Sequence, residues 1–180
     1  MHPDWSSESD DLAPFKDAMG DPALFADALK ALSRYGSRWS GEELRQDPAM
    51  LARQSHWHLR IAVDWVIFVL GMAGSDLRIA RHGCFVLVNA STALPPDARH
   101  LFLRALAPVL DVMLNHPMDA RVQAYGASVL RSMSRCASAR GCETLRQLGV
   151  EEVVRAAARN HPGDAKLRRT VAYILQCLNH

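Results

Sequence analysis

The chain has 180 residues, of which 49% are hydrophobic and 22% are charged. This balance is typical of a folded domain and excludes an intrinsically disordered chain. A single domain of this length can bury about 70% of the surface of its unfolded form, so folding requires neither a disulfide nor a metal.

The N-terminal segment is acidic, whereas the rest of the chain is basic. Residues 1–21 contain six acidic residues against Lys16 alone, which leaves 20 basic and 13 acidic residues in 22–180, a net charge of +7. This separation indicates an acidic partner, a tail that folds back on its own domain, or only a solvated surface with a frayed end. The acids stand where a signal peptide needs a basic start and an apolar core. We therefore expect a flexible tail over 1–20, one helical domain over 21–180, and a cytoplasmic location with the nucleus as the alternative.

Proline and glycine mark the predicted helix boundaries. Asp21-Pro22 and Asp47-Pro48 each place a capping carboxylate before a proline at the first helical position, where the missing N–H costs nothing. Gly36, Gly71 and Gly149 stand where helices are expected to stop. No segment alternates with a period of two, so we predict no β-sheet.

The longest apolar run, residues 61–70, contains Asp64 and has about half the length that a helix needs to cross a bilayer. It predicts a buried core helix, and we expect no membrane partner. Just before this run, His56 and His58 would point about 200° apart on a helix and cannot bind one metal ion together. No nucleophile motif or glycine-rich phosphate loop occurs. We therefore expect no catalytic residue, no metal and no cofactor, with four reduced cysteines that serve packing: Cys84, Cys136, Cys142 and Cys177.

An internal repeat of 43 to 45 residues organises most of the chain. Residues 115–122 (NHPMDARV) return 45 residues later as 160–167 (NHPGDAKL), and a third copy, offset by 43, begins near Asp76. His116 and His161 occupy the same position of two copies, which indicates a structural role in the turn. This period is typical of HEAT and armadillo units, whose two or three helices bury their apolar faces only when neighbours stack on them.

The pattern resembles the armadillo (ARM/HEAT-like) repeat family, in which a short first helix and a second helix precede a long third helix reading V-Q-x-x-A-x-x-x-L. Val122, Gln123 and Leu130 stand at the family's positions, with Gly126 in place of the usual alanine. The resemblance covers residues 45–180 and implies an all-α, right-handed solenoid of about three to four repeats. The expected helices are 77–91 in one repeat, 98–106, 108–115 and 120–134 in the next, and 143–148, 150–159 and 165–179 in the last.

The resemblance also implies where a partner would lie, because the third helices of such a solenoid line its concave side. In peptide-binding members such as the nuclear import adaptors, that helix carries a Trp and, four residues on, an Asn. The corresponding pairs here are Phe85 with Asn89, Ser128 with Ser132, and Tyr173 with Cys177. Only the first pair keeps an aromatic residue plus an amide, and a receptor for basic peptides needs an acidic groove. We therefore do not expect an import adaptor.

We expect instead a groove of aromatic and small polar residues on the concave face. Its residues are His82, Phe85, Asn89, Tyr125, Ser128, Ser132, Thr170 and Tyr173. The alternative for each ring is that it fills a gap between repeats, since aromatic residues dominate cores and interfaces alike. The favoured function is a non-catalytic adaptor or scaffold that binds a partner protein on this face.

The second function considered is a nucleic-acid-binding, HEAT-like solenoid with a basic groove, similar to DNA glycosylases that hold a lesion against Trp and Asp. Trp57, Asp64 and Trp65, with Arg53 and Arg60, could imitate that set. However, Asp64 and Trp65 lie inside an apolar segment that needs burial, and the net charge of residues 22–180 is modest for a duplex binder. A nucleic-acid partner is therefore not expected.

The sequence stops directly after the last predicted third helix. Solenoids usually end on a polar capping repeat, and none follows here. We therefore expect the apolar residues near Val171, Ile174 and Leu178 to be covered by a partner or by self-association through the C-terminal helix.

Overall fold

The computed structural model describes residues 63–93, 102–136 and 139–179. Within these ranges the chain is all-helical and contains no strand, as the sequence predicts. The predicted features that lie outside the described residues are the acidic tail over 1–20, the boundaries at Pro22, Gly36 and Pro48, and the histidine pair at His56 and His58.

Seven α-helices account for most of the described residues. They are α1 over 63–73, α2 (Leu77–Ala93), α3 (Leu106–Asn115), α4 (Ala120–Cys136), α5 (Ala139–Gln147), α6 (Val150–Asn160) and α7 (Ala165–Leu178). A turn of 3₁₀-helix over 102–105 leads into α3.

The predicted boundaries of α2, α3, α4, α6 and α7 agree with the structure to within two residues, whereas the end of α1, the start of α5 and the helix expected over 98–106 differ more. Helix α3 begins at Leu106, two residues before Pro108. A proline is compatible with the first turn, because the N–H groups of that turn have no intrahelical partner. The described part of the helix expected over 98–106 is the 3₁₀ turn and the start of α3. Helix α5 begins at Ala139, four residues before its predicted start. Helix α1 continues through Gly71, and the turn contains Gly74, whose N–H donates to the carbonyl of Leu70 at 3.0 Å.

The three longest helices, α2, α4 and α7, start in the same way. Asp164 accepts a hydrogen bond from the backbone N–H of Leu167 at 2.8 Å, and Asp119 accepts one from that of Val122 at 2.9 Å. Asp76 accepts one at 2.8 Å from the second residue of α2. An aspartate in this position satisfies an N–H that the first turn leaves without a helical partner. Since these caps are 43 and 45 residues apart, the repeat in the sequence corresponds to a repeated local structure.

The helices pack in two rows. In one row α4 contacts both α2 and α7, and in the other α3 contacts α6. The rows are joined because α3 packs on α4 and α6 packs on α7, while α5 contacts both α6 and α7. Buried apolar side chains from all seven helices form one continuous core.

Close contact between the two rows depends on a pair of positions that recurs with the repeat. A Cβ atom at Gly83 would lie 2.6 Å from Cδ2 of Leu70, and a Cβ atom at Gly126 would lie 2.6 Å from Cγ and Sδ of Met113. Gly83 and Gly126 are 43 residues apart, and so are Leu70 and Met113. In both copies, a glycine therefore faces a large side chain of the preceding helix. In the last copy the corresponding positions reverse the sizes, with Val171 in α7 and Ala158 in α6.

Histidines link successive turns. The Nε2 atom of His116 donates to the carbonyl of Gly74 at 2.8 Å, and that of His161 donates to the carbonyl of Pro117 at 3.0 Å. Each histidine follows the last residue of a helix, at α3 and at α6. These bonds give the two histidines the structural role that their position in the repeat predicts.

The C-terminal helix is covered by the chain itself, which corrects one expectation from the sequence. Val171 is 4% exposed, and Ile174 and Leu178 are fully buried. Their cover comes from α4, α5 and α6, and Arg146 of α5 donates to the carbonyl of Leu178 at 2.7 Å. Because these side chains are already buried within the chain, they give no reason to expect self-association or a partner that covers them.

Candidate partner-binding face

All eight predicted groove residues lie on α2, α4 and α7, the three helices that pack side by side. The helices carry them as follows: His82, Phe85 and Asn89 on α2, Tyr125, Ser128 and Ser132 on α4, and Thr170 and Tyr173 on α7. Seven of these side chains are partly exposed, whereas Thr170 is only 8% exposed and offers little surface to a partner. We call the side of α2, α4 and α7 that bears the other seven residues the long-helix face.

On this face α2 and α4 are joined by aromatic and hydroxyl contacts. The rings of Phe85 and Tyr125 lie 5.2 Å apart between centroids with planes tilted by 52°, an arrangement that aromatic quadrupoles favour. Farther along the two helices, the Ser132 hydroxyl donates to that of Ser91 at 3.1 Å. These rings therefore fill part of the space between the helices while remaining partly exposed.

The contact between α4 and α7 is a cation–π pair. The guanidinium carbon of Arg131 lies 4.8 Å from the centre of the Tyr173 ring, within the range of this attraction. The hydrogen bond between Tyr173 and Cys177, with burial as the second cause, raises the pKa of the tyrosine above its ordinary value. The phenol therefore stays protonated at neutral pH, and the cation rests on an uncharged ring.

The hydroxyl groups of the serines at the middle of the face already donate hydrogen bonds within the protein. The Ser128 hydroxyl donates to the carbonyl of Ala124 at 2.8 Å. The Ser132 hydroxyl is within 3.2 Å of the Ser128 carbonyl as well as of Ser91. A hydroxyl that has given its hydrogen away still has oxygen lone pairs, so these serines are able to accept hydrogen bonds from a ligand.

The residues that sequence reasoning missed are the cations of the same face. Helices α2, α4 and α7 together contain eight Lys and Arg residues and no Asp or Glu. Three of the eight occupy one position of the repeat, seven residues before the middle of each helix, and therefore lie on the same side as that middle residue. They are Arg78 before Phe85, Arg121 before Ser128, and Lys166 before Tyr173. The 43- and 45-residue spacing was the signal that could have found them.

Two of the eight cations, Arg78 and Arg81, pair with aspartates that cap the helices. Arg78 contacts Asp76 at 3.3 Å, and the Nε atom of Arg81 donates to the two oxygens of Asp119 at 3.2 and 3.1 Å. The hydrogen bonds from Arg81 hold the pKa of the Asp119 carboxyl below its usual value.

The six other cations on these helices are exposed, and none of them forms an ion pair with a carboxylate of the described residues. They are Arg121, Arg131, Arg135, Lys166, Arg168 and Arg169. On the other helices, Arg155 pairs with Glu151 at 2.8 Å and Arg146 pairs with Glu143. Among the described residues, the positive charge without a carboxylate partner is therefore concentrated on α4 and α7.

The glycosylase-like set considered from the sequence does not form a reactive site in its described part. Trp65 is 2% exposed and belongs to the core, so its ring cannot hold a base. Asp64 forms an ion pair with Arg104 at 2.7 Å. Trp57, Arg53 and Arg60 lie outside the residues that the structure describes.

The described residues contain few groups suited to thiol or metal chemistry. Cys84 and Cys142 are buried free thiols, and burial raises the pKa of Cys84 to about 12. No three side chains among His, Cys, Asp and Glu in residues 63–93, 102–136 and 139–179 come together as a metal site. In the same residues, no helix combines the length and apolar character that crossing a membrane requires.

The chain matches no protein-family model, no curated protein and no solved structure.

Proposed function

We propose that the seven helices belong to a right-handed, armadillo-like solenoid in which the long-helix face is the concave side. Three features that recur with the repeat support this proposal: the aspartate caps, the paired positions of Gly83 and Gly126, and the turn-to-turn bonds of His116 and His161. Each recurs at the interval of the sequence repeat, as expected when successive units stack through equivalent contacts.

We further propose that the protein acts by binding, as a non-catalytic adaptor or scaffold that holds a partner protein on this face. The observation that carries the proposal is that seven predicted residues from three helices share one partly exposed surface. Partly exposed aromatic residues beside arginines are the composition that protein–protein interfaces favour. Tyr173 under Arg131 is such a pair.

The test begins with capture of interacting proteins from cell extract by the full-length chain and continues with each purified candidate. Calorimetry then compares the wild type with Tyr173→Ala, which removes an aromatic ring from the face. A control variant, Leu114→Ala, shortens a side chain that is 60% exposed on α3 and lies outside the face. We expect Tyr173→Ala to weaken binding about tenfold or more, as for a residue that contributes strongly to an interface, and the control to leave it unchanged.

Thermal melting of the same variants separates binding from folding. Since the Tyr173 side chain is partly exposed, its truncation should lower stability much less than the loss of a buried aromatic residue, which costs about 3–5 kcal/mol. A second variant, Ser128→Gln, lengthens a side chain at the middle of the face without opening a cavity. Equal affinity of all variants for a stoichiometric partner would refute the assignment of the binding face.

A further inference from the structure

We infer that the partner segment held by the long-helix face is an extended acidic peptide that crosses α4 and α7, with carboxylates spaced to meet one cation on each of these two helices. This inference rests on the proposed binding function and specifies its partner's chemistry.

The first step is the sign of the charge. The helices of the face carry eight cations and no acidic residue, whereas α1, α3, α5 and α6 together carry four cations and five acidic residues. Two of the eight are satisfied by helix-capping aspartates, and the other six are exposed without a carboxylate partner in the described ranges. Interfaces place opposite potentials against each other, so the chain leaves this side for an anion.

The second step is the spacing of the cations. Arg121 and Lys166 occupy the same position of two successive repeats and carry no ion pair, whereas Arg78, at that position of α2, already pairs with Asp76. Packed helices lie about 8–10 Å apart. An extended peptide advances about 3.3 Å per residue. One helix therefore corresponds to about three residues of the peptide, which predicts acidic residues at every third position.

The third step distinguishes a peptide from a nucleic acid. Single-stranded nucleic acids need open ring faces on which bases stack. Here the Phe85 ring packs against Tyr125, and the Tyr173 ring is covered by Arg131. The hydroxyl hydrogens of Ser128 and Ser132 are engaged within the protein, which leaves acceptors at the centre of the face. A peptide backbone supplies N–H donors to such acceptors, whereas a phosphodiester backbone supplies none.

The probe for this inference is a synthetic, fluorescein-labelled peptide with Glu at every third position, Ser and Ala between, and one Leu at its centre. Its binding to the full-length chain is followed by fluorescence anisotropy. One comparison peptide has Lys in place of Glu, a second has the same composition with its glutamates adjacent, and a third probe is a single-stranded oligonucleotide. We expect the spaced acidic peptide to bind best and to lose affinity as salt rises, since the contacts are exposed.

Variants locate the contact. Arg121→Ala combined with Lys166→Ala removes two cations from the face, and Arg155→Ala combined with Arg159→Ala removes two from α6 as the matched control. We expect the first pair to weaken peptide binding about fivefold to tenfold and the second to change it less than about twofold. Circular dichroism checks that both remain folded, and the double lysine variant Arg121→Lys with Arg131→Lys retains the charge and should retain most of the affinity.

Several outcomes would overturn the inference. One is equal binding of the acidic and basic peptides, and another is equal loss in the two double variants. Tighter binding of the oligonucleotide would transfer the face to nucleic acids. If a captured partner protein depends on Tyr173 while the acidic peptide does not bind, the proposed function stands and only this inference fails. If no ligand depends on the face, both fail.

Discussion

The contact between Gly126 and Met113 allows a direct test of how the two rows of helices fit together. Replacing Gly126 with valine puts side-chain atoms where Cγ and Sδ of Met113 already lie, 2.6 Å from the new Cβ position. Met113 is 1% exposed, so its side chain is enclosed by the core and would have to shift to make room. Overpacking of this kind costs about 1–3 kcal/mol. Gly126→Val should therefore destabilise the protein, although valine is the better helix former by several tenths of a kcal/mol.

The same substitution should act differently once the methionine is shortened. Met113→Ala alone removes a buried side chain and should cost about 2–5 kcal/mol, part of which is the cavity that it leaves. In that background Gly126→Val should fill the cavity, and it recreates the pair of residues at the corresponding positions of the last repeat, Val171 and Ala158. We therefore expect Gly126→Val to be neutral or stabilising there, with a favourable coupling of about 0.5–3 kcal/mol.

Urea unfolding of the wild type, the two single variants and the double variant, followed by circular dichroism, measures this cycle. The slopes with urea must agree for the free energies to be comparable. As a control, Met113→Ala is combined with Ala172→Val at an exposed position of α7, where the effects should add to within about 0.5 kcal/mol. If Gly126→Val destabilises both backgrounds equally, the size complementarity of the two rows does not exist.

Three further predictions concern single side chains. Because Arg81 lowers the pKa of Asp119, the ionised carboxylate stabilises the fold above the unfolded-state pKa of about 3.9, and this contribution is lost as the pH falls through the lower folded-state pKa. Asp119→Asn should therefore lower the free energy of unfolding by up to about 1 kcal/mol at pH 7, and urea titrations should show this loss shrink below about pH 4. Gln123→Leu should cost about 1–3 kcal/mol for each carbonyl left unsatisfied, since the buried amide donates to two backbone carbonyls at 2.8 and 3.0 Å; a loss below 1 kcal/mol in the same assay would contradict this. Cys84, with its pKa of about 12, should resist a thiol reagent at neutral pH until the protein unfolds, and peptide mapping that finds rapid labelling in the native state would disprove its burial.

The features that sequence could predict are those with short-range causes. The caps at Asp119 and Asp164 act on residues two or three positions away, and the apolar stripe of α7 has a helical period, so their positions follow from local chemistry. The start of α5 could not be predicted in this way, because Gly141 lies inside the helix and glycine disfavours helices. Burial of Cys142 and Leu145, a tertiary effect, accompanies this helix in the structure.

The same distinction applies to the candidate site: the sequence predicts which helix carries each residue, but not how the helices pack. The repeat placed Phe85 and Tyr173 on the two helices that flank α4, and the structure brings them into contact with Tyr125 and Arg131 of α4. The sequence could not show that Thr170 is buried or that α4, α5 and α6 cover Leu178, because both depend on how separate helices pack. The arginines of the face were visible in the sequence, but only the structure distinguishes those that capping aspartates neutralise from those left exposed.

The histidine bonds between turns give the array a direction. Each histidine donates to a turn earlier in the chain, so every unit attaches itself to the one before it and in turn presents a carbonyl to the one after. The carbonyl of Pro162 occupies the place in its turn that the Pro117 carbonyl occupies in the turn before. A designed repeat appended behind α7 with its own Asn-His-Pro turn would therefore meet an acceptor in register, so this protein is a natural starting scaffold for extension by whole units at its C-terminal side.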